Sequence, residues 1–313
     1  MVIREDLPLA PYTILNIGGQ AKYFTEAASR EELLESLEWA RQKSLPVFIL
    51  GGGSNILVSD KGFDGLVIKI SGMRNMEFKD GLVRADAGSG MSQLVAFSVS
   101  HNLSGIEWAI GIPGTLGGSI RGNAGCFGGE IKDVIKKVEV FDAMRGTLEI
   151  DNKECGFAYR ESVFKYNPQW VIVSAELKLL LGKSSVSEAL IKQYSMKRVS
   201  AQDVGARCAG CVFKNVPWDR EGINKTELLE RFAELNKFAE VQNIPAGFLL
   251  DQCGLKGVSV GEAAISEKHA NYFINRKNAT TDDMMKLIVL AKKRVLDKYG
   301  ILLEEEIQKI GFD

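Results

Sequence analysis

The chain of 313 residues carries little histidine and no surplus of charge. It has two His and 39 Lys and Arg against 40 Asp and Glu, a formal net charge of −1. That balance speaks against a nucleic-acid protein, whose phosphate contacts need an excess of Lys and Arg on one face. It leaves room for a local basic pocket around one phosphorylated ligand. No apolar run approaches the roughly 20 residues that a bilayer crossing needs. The stretch 171–181, among the greasiest, is interrupted by Glu176 and Lys178. The opening residues, Met-Val-Ile-Arg-Glu-Asp-Leu-Pro, lack the apolar centre of a secretory signal. The expectation is a cytoplasmic protein with no membrane or nucleic-acid partner. The five cysteines, Cys126, Cys155, Cys208, Cys211 and Cys253, are odd in number and irregularly spaced, which is not a disulfide framework. In a reducing compartment they are expected as thiols. Cys208-Ala-Gly-Cys211 has no second Cys-x-x-Cys to complete a zinc site, so no metal is expected.

What is present is an ordinary globular composition, 45% hydrophobic and 25% charged, long enough for two domains. Leu33, Leu34, Leu37 and Ala40 recur at helical spacing and predict a helix over Glu31–Lys43. Short apolar runs at Pro46–Leu50, Leu66–Ile70 and Leu82–Ala85 read as strands, and Met91–His101 as helix. After a glycine-rich stretch, Gly105–Gly129, strands are expected at Val138–Asp142, Thr147–Ile150 and Trp170–Leu181. Ser187–Ser200 reads as helix. Asn224–Val241 reads as a helix with Leu228, Leu229, Phe232 and Leu235 as its apolar stripe. Thr281–Tyr299 is another, with Thr280 or Thr281 as its cap, Asp282 and Asp283 in its first turn and Gly300 beyond its end. A domain boundary is expected near Ser184–Ser187.

Three glycine clusters stand out: Gly18-Gly19, Gly51-Gly52-Gly53-Ser54-Asn55, and Gly111-Ile-Pro113-Gly114-Thr115-Leu-Gly-Gly118. Glycine lets the backbone approach a ligand closely, and successive amides in such a turn cradle an anion. The bland reading is tight turns. For Gly51–Asn55, directly after a buried strand, pyrophosphate binding is the better one. A dinucleotide fingerprint is excluded because Ile56 stands where its third glycine belongs. Gly182-Lys183-Ser184 is no P-loop, because Leu177 stands where the earlier glycine belongs.

Together these segments resemble the UDP-N-acetylenolpyruvoylglucosamine reductase family. The likeness runs through Tyr12–Ala21, Leu50–Asp60, Gly111–Gly118 with Asn123-Ala124-Gly125 and Gly128-Gly-Glu130, and Tyr159-Arg160-Glu-Ser162 with Phe164-Lys165. It continues through Ala209-Gly-Cys211-Val-Phe-Lys214-Asn215, Ala246-Gly247, Gly254-Leu-Lys256-Gly257, Lys268-His269-Ala-Asn271 and Gly300–Ile307. The resemblance implies an α+β fold. A two-subdomain FAD-binding region of the vanillyl-alcohol-oxidase (PCMH) type spans 1–185, with subdomains of about 1–72 and 73–185. A C-terminal α+β substrate-binding domain spans 186–313. It implies non-covalent FAD, NADPH as co-substrate, and reduction of UDP-N-acetylglucosamine enolpyruvate to UDP-N-acetylmuramate in peptidoglycan synthesis; a monomer is expected, though the sequence does not fix the oligomeric state. The cofactor-binding residues it implies are Gly51, Gly52, Gly53, Ser54, Asn55, Gly111, Pro113, Gly114, Thr115, Gly118, Asn123, Ala124 and Gly125. Two rival readings are another flavin oxidoreductase of the same fold, acting on a small alcohol or sugar, and a non-catalytic nucleotide-binding or thiol-sensing module.

Reducing an enol ether conjugated to a carboxylate needs a hydride, stabilisation of the enolate and a proton. A flavin supplies the hydride, which no side chain can. The family motifs assign the rest to Arg160, Cys211 and Glu306. Arg160 would hold the substrate carboxylate with its planar fork. Glu306, the last of three consecutive glutamates and directly before Ile307, would help polarise the enolate, with Glu305 as the alternative. Cys211 stands where most of the family has serine. A thiol, with a usual pKa of about 8.5, is mostly protonated at neutral pH and preserves the proton-donor role. Cys208 raises a further possibility, an inactivating Cys208–Cys211 disulfide. Asn215, Lys256, Lys214 and His269 are the candidates for substrate binding, with surface or packing roles as the bland alternative. The segment between Asn215 and Ala246 is longer than the family pattern and is expected to cap the pocket, mediate assembly or pack on the surface.

Overall fold

The computed structural model describes residues 1–201, 203 and 205–312. The chain forms two compact units. The first comprises Met1–Pro8, Gln20–Ser54 and Gly62–Ser200. The second comprises Leu9–Gly19, Asn55–Lys61 and the chain from Ala201 onward.

The first unit is built on two large sheets. In one, Arg4–Pro8 pairs antiparallel with Gln20–Glu26, which lies parallel to Phe63–Lys69, itself parallel to Val47–Leu50. Helix α1 (Arg30–Gln42) connects within it. Ser29 caps the helix by accepting from the Glu32 amide, Glu31 and Glu32 complement its positive end, and Leu33 and Ala40 are buried. The other sheet has five antiparallel strands in the order Gly146–Asp151, Ile135–Asp142, Trp170–Leu177, Leu82–Asp86, Met76–Lys79. Helices α2 (Met91–Ser100), α3 (Leu116–Arg121) and α4 (Ser184–Ala201) complete the unit. A continuous core runs from Leu33 and Leu66 to Val138 and Leu177. The expected strand 170–181 ends at Leu177. The chain then peels away, and Leu180–Leu181 pairs with Leu103–Ser104.

In the second unit a four-stranded antiparallel sheet runs Cys208–Cys211, Tyr272–Asn275, Ala263–Ile265, Ser259–Val260. A separate parallel pair joins Ile56–Val58 to Gln308–Ile310. Helices α5 (Lys225–Arg231), α6 (Ala246–Gln252) and α7 (Thr281–Tyr299) pack around them. The helix expected over 224–241 is broken. Phe232 leaves helical geometry at φ −130° and ψ 86°, and Ala233–Phe238 continues as 3-10 helix. The break serves packing: Phe232 meets the edge of Tyr299, and Leu235 is wholly buried. The long segment therefore joins the core of its own unit. Among the described residues no helix is long and apolar enough to cross a membrane.

Candidate active site

Two glycine loops of the first unit press against each other. A Cβ on Gly52 would lie 2.7 Å from the Gly114 Cα, and one on Gly51 would lie 2.5 Å from the Thr115 hydroxyl. Ser54 Oγ donates to the Pro113 carbonyl at 3.0 Å. Thr115 is the N-cap of α3, accepting from the Gly118 amide, and Gly111 donates its amide to Ser92 Oγ. Gly52 is thus required by the approach of backbone to backbone, Gly51 by the Thr115 hydroxyl, and Gly114 by its φ of 118° and the Ser54 hydroxyl beside it. One face of the first loop is left for a ligand. Among the described residues the amides of Gly52, Gly53 and Ser54 donate to no protein acceptor, and Gly53 has φ 60°. Consecutive unpartnered N–H groups around a left-handed residue form a nest for an anion. This donor set fits the pyrophosphate of a dinucleotide cofactor.

Asn123 is completely buried, with φ 39°. Its amide group donates to Glu130 at 2.9 Å and to the Ala158 carbonyl at 2.8 Å, while its oxygen accepts from the Lys132 amide. Its side chain therefore braces the loop from within. Ala124 is bound through its amide to Ser119 and through its carbonyl to Ile131. The Gly125 carbonyl accepts from Arg160 Nη2 at 3.0 Å. Arg160 sits third in a tight turn closed by reciprocal bonds between Ala158 and Glu161, both 3.1 Å, and has φ 57°. A left-handed arginine costs roughly 1–2 kcal/mol. The turn is held by Lys165, whose ammonium donates to the Arg160 carbonyl at 2.5 Å and lies 3.4 Å from Glu161.

In the second unit, Cys211 ends its strand opposite Tyr272, after an irregularity at Gly210, where φ is 79°. The chain continues beside 304–306. Phe213 bridges Glu305, the Lys214 amide donates to the Glu304 carbonyl, and the Glu306 amide donates to Val212 at 2.7 Å. Glu306 is therefore paired one residue from Cys211. Asn55 anchors the same segment through its side-chain amide on the Glu306 carbonyl at 3.2 Å. Glu305 is engaged elsewhere, its carboxylate lying 2.5 Å from Lys292 and 3.0 Å from Lys309. Burial pushes its carboxyl up, but the two ammonium groups outweigh burial and hold it below the usual carboxylate range.

Of the remaining candidates, Lys214 is ion-paired with Glu304 at 3.5 Å, and Asn215 accepts from the Ala246 amide at the start of α6. Lys256 pairs with Asp251 on the surface at 2.9 Å. His269 packs on Tyr272, ring centroids 4.4 Å apart. Burial, reinforced by the Lys256 charge, lowers the His269 pKa. Arg160 belongs to the first unit, and Cys211, Glu306 and these four to the second.

Two residues quoted within motifs, but given no role there, matter to the site. Lys165 holds the Arg160 turn. Asn271, 1% exposed, clasps the Phe213 backbone, donating to its carbonyl at 2.8 Å and accepting from its amide at 2.9 Å. Its place in the Lys268-His269-Ala-Asn271 motif was its sequence signal, and nothing local pointed to Phe213.

A family model described as UDP-N-acetylenolpyruvoylglucosamine reductase, C-terminal domain, matches residues 199–310, and one described as FAD binding domain matches 21–150. Among curated relatives, the UDP-N-acetylenolpyruvoylglucosamine reductase of Caldanaerobacter subterraneus subsp. tengcongensis is 36% identical over 304 residues, covering 97% of this chain and 92% of that protein. The protein of the same name from Synechococcus sp. is 35% identical over 311 residues, covering 99% and 91%. The crystal structure of the reductase from Thermus caldophilus superposes with a TM-score of 0.77 at 30% identity, covering 99% of each chain.

Proposed function

The chain belongs to the UDP-N-acetylenolpyruvoylglucosamine reductase family, and from that premise we propose how its own residues carry the reaction. It is an FAD-dependent oxidoreductase that reduces UDP-N-acetylglucosamine enolpyruvate to UDP-N-acetylmuramate in peptidoglycan synthesis. The bound flavin supplies the hydride, with NADPH as the proposed reductant. The amides of Gly52, Gly53 and Ser54 hold its pyrophosphate, and the Gly111–Gly118 loop backs them. Arg160, fixed by Lys165, offers its guanidinium to the substrate carboxylate and stabilises the enolate as charge builds there. Cys211 delivers the proton to the carbon next to the one that takes the hydride. Its Sγ–H bond breaks, a C–H bond forms, and the thiolate is reprotonated from solvent.

The observation that carries this reading is the pairing of Glu306 beside Cys211 through the Glu306 amide and the Val212 carbonyl. Glu305 is committed to Lys292 and Lys309, which favours Glu306 as the catalytic carboxylate. Lys256 and His269 are proposed to meet the substrate diphosphate and sugar. Lys214 and Asn215 are proposed to brace the Cys211 segment and add substrate contacts through their exposed atoms. We assign the first unit to the cofactor and the second to the substrate, in a cytoplasmic monomer with no nucleic-acid partner; helix α4 goes with the first unit, so the boundary expected near 185 moves to Ser200.

Stopped-flow kinetics test the proton donor. Cys211→Ala should slow flavin reoxidation by substrate about 100- to 10,000-fold, the usual contribution of a general acid. Reduction by NADPH should stay intact, and Cys211→Ser should retain most of the rate. Near-wild-type reoxidation in both variants refutes the role.

A further inference from the structure

Helix α4 is tied at its start to the 107–110 turn. Ser187, 2% exposed, donates its hydroxyl to Glu107, 5% exposed, at 2.5 Å. Two and three turns on, at helical spacing that keeps them on one side of the helix, stand Tyr194 and Arg198. Tyr194 stacks on Phe127, centroids 4.8 Å apart and planes 9° from parallel. Arg198 spans two segments that have almost no regular structure of their own. Its Nε donates to the Ile110 carbonyl at 2.8 Å, immediately before the Gly111–Gly118 loop. Its Nη2 donates to Cys126 Sγ at 2.9 Å, in the hairpin that follows Gly125. Its guanidinium carbon also lies 5.2 Å from the Phe127 ring centre.

The surroundings are built for this clamp. Gly111 has φ 70°, and a Cβ there would come within 3.1 Å of Arg198 Cδ. Burial pushes the Cys126 thiol up against the opposing pull of Arg198 and Arg160, so it stays protonated and donates to the Trp108 carbonyl at 2.9 Å while accepting from Arg198. Gly129 lies so close to the Trp108 ring that a Cβ would fall 2.3 Å from it. One guanidinium, one thiol and one indole thus lock together the entrance of the Gly111–Gly118 loop and the Gly125–Gly129 hairpin.

We infer that Arg198 is a positioning residue for the flavin, fixing through Ile110 and Cys126 the spacing of the two loops that receive the cofactor. The inference rests on FAD as the cofactor of this chain. A fork-shaped side chain suits this role, because two donors of one rigid plane set the distance between two acceptors. Lysine offers a single point of attachment on a flexible stem.

The test uses full-length protein stripped of flavin and titrated with FAD by flavin fluorescence, with thermal midpoints measured in the free and loaded forms. Arg198→Met should raise the Kd for FAD about tenfold or more, in the range that supporting residues around a bound group typically carry. The midpoint of the flavin-free protein should change little, and the stabilisation by FAD should shrink. Arg198→Lys, the milder change should Arg198→Met fail to fold, should give an intermediate Kd. Cys126→Ser, which keeps both hydrogen bonds, should bind like wild type. A Kd within twofold of wild type in both Arg198 variants overturns the inference. So does an equal fall in both midpoints, which would mark a purely structural residue. Failure of the wild-type protein to bind FAD would instead overturn the cofactor assignment.

Discussion

Replacing Asn271 by alanine removes both hydrogen bonds that close on the Phe213 backbone. The Phe213 side chain is 1% exposed and Asn271 itself 1%, so water has little access to replace them. Each abandoned buried donor or acceptor costs about 1–3 kcal/mol. The lost packing adds to this, while the Val212 amide keeps its bond to the Asn271 carbonyl, which the substitution leaves in place. The expected loss is about 3–5 kcal/mol, at the upper end for single changes. At about 2 °C per kcal/mol for a chain of this size, the thermal midpoint of the second unit should fall by about 6–10 °C. Urea unfolding read by tryptophan fluorescence measures the same quantity. Asn271→Asp sharpens the assay. It keeps the acceptor for the Phe213 amide but sets a carboxylate against the Phe213 carbonyl. Its folded pKa should therefore rise, and the variant should regain stability as pH falls through that raised value. The reasoning fails if Asn271→Ala costs less than about 1 kcal/mol, the net worth of one ordinary hydrogen bond.

The adjacent glutamates separate in the same way. Glu305→Gln should lose about 1–3 kcal/mol by stripping Lys292 and Lys309 of their carboxylate, with turnover largely kept, whereas Glu306→Gln should keep stability and lose turnover. Because the Glu305 pKa is depressed, its contribution is full above the usual carboxylate range and fades as pH drops through the lowered value, so acid unfolding curves of wild type and Glu305→Gln should converge at low pH. Comparable turnover in the two variants would count against Glu306. For His269 the depression comes first from burial and second from Lys256, so the folded protein resists protonation and loses stability as pH falls below the usual imidazole value of about 6.5. Lys256→Met should raise the His269 pKa, read by NMR titration. An unchanged titration would mean that the Lys256 charge does not reach the ring.

Local signals found the elements that local physics decides. Helix α7 runs from Thr281 to Tyr299 between a Thr280 cap, which accepts from the Asp283 amide, and Gly300 at φ 70°. The Gly300 stop and a threonine cap, left open between Thr280 and Thr281, were readable because each satisfies an end of the helix locally. The stripe at 224–241 has the same period, yet Phe232 is drawn out of the helix to meet Tyr299. Helical spacing records which residues seek burial, and tertiary partners decide the backbone that buries them. The glycine loops were legible as places of close approach, but the identity of the approaching group was not. Gly51 and Gly52 meet Thr115 and Gly114, more than sixty positions away, so part of what resembled ligand chemistry is one loop packed on another. The role of Asn271 was hidden for the same reason: its partner is Phe213, and an asparagine in a turn carries no local signature of what it clasps.

The two cysteines of Cys208-Ala-Gly-Cys211 show how three residues of chain allot different chemistry to one residue type. Burial pushes the Cys208 thiol up to about 12, and its Sγ donates back to the Gly210 carbonyl. A thiol held protonated is a poor attacker of an oxidised partner, since exchange needs the thiolate. Both residues also lie in register with the neighbouring strand, Cys208 with Ile274 and Cys211 with Tyr272, and the irregularity falls between them. Oxidative closure of this pair would have to disturb a sheet edge and overcome the burial that keeps the Cys208 thiol protonated. The left-handed Gly210, φ 79°, separates the two cysteines at the irregularity of the strand.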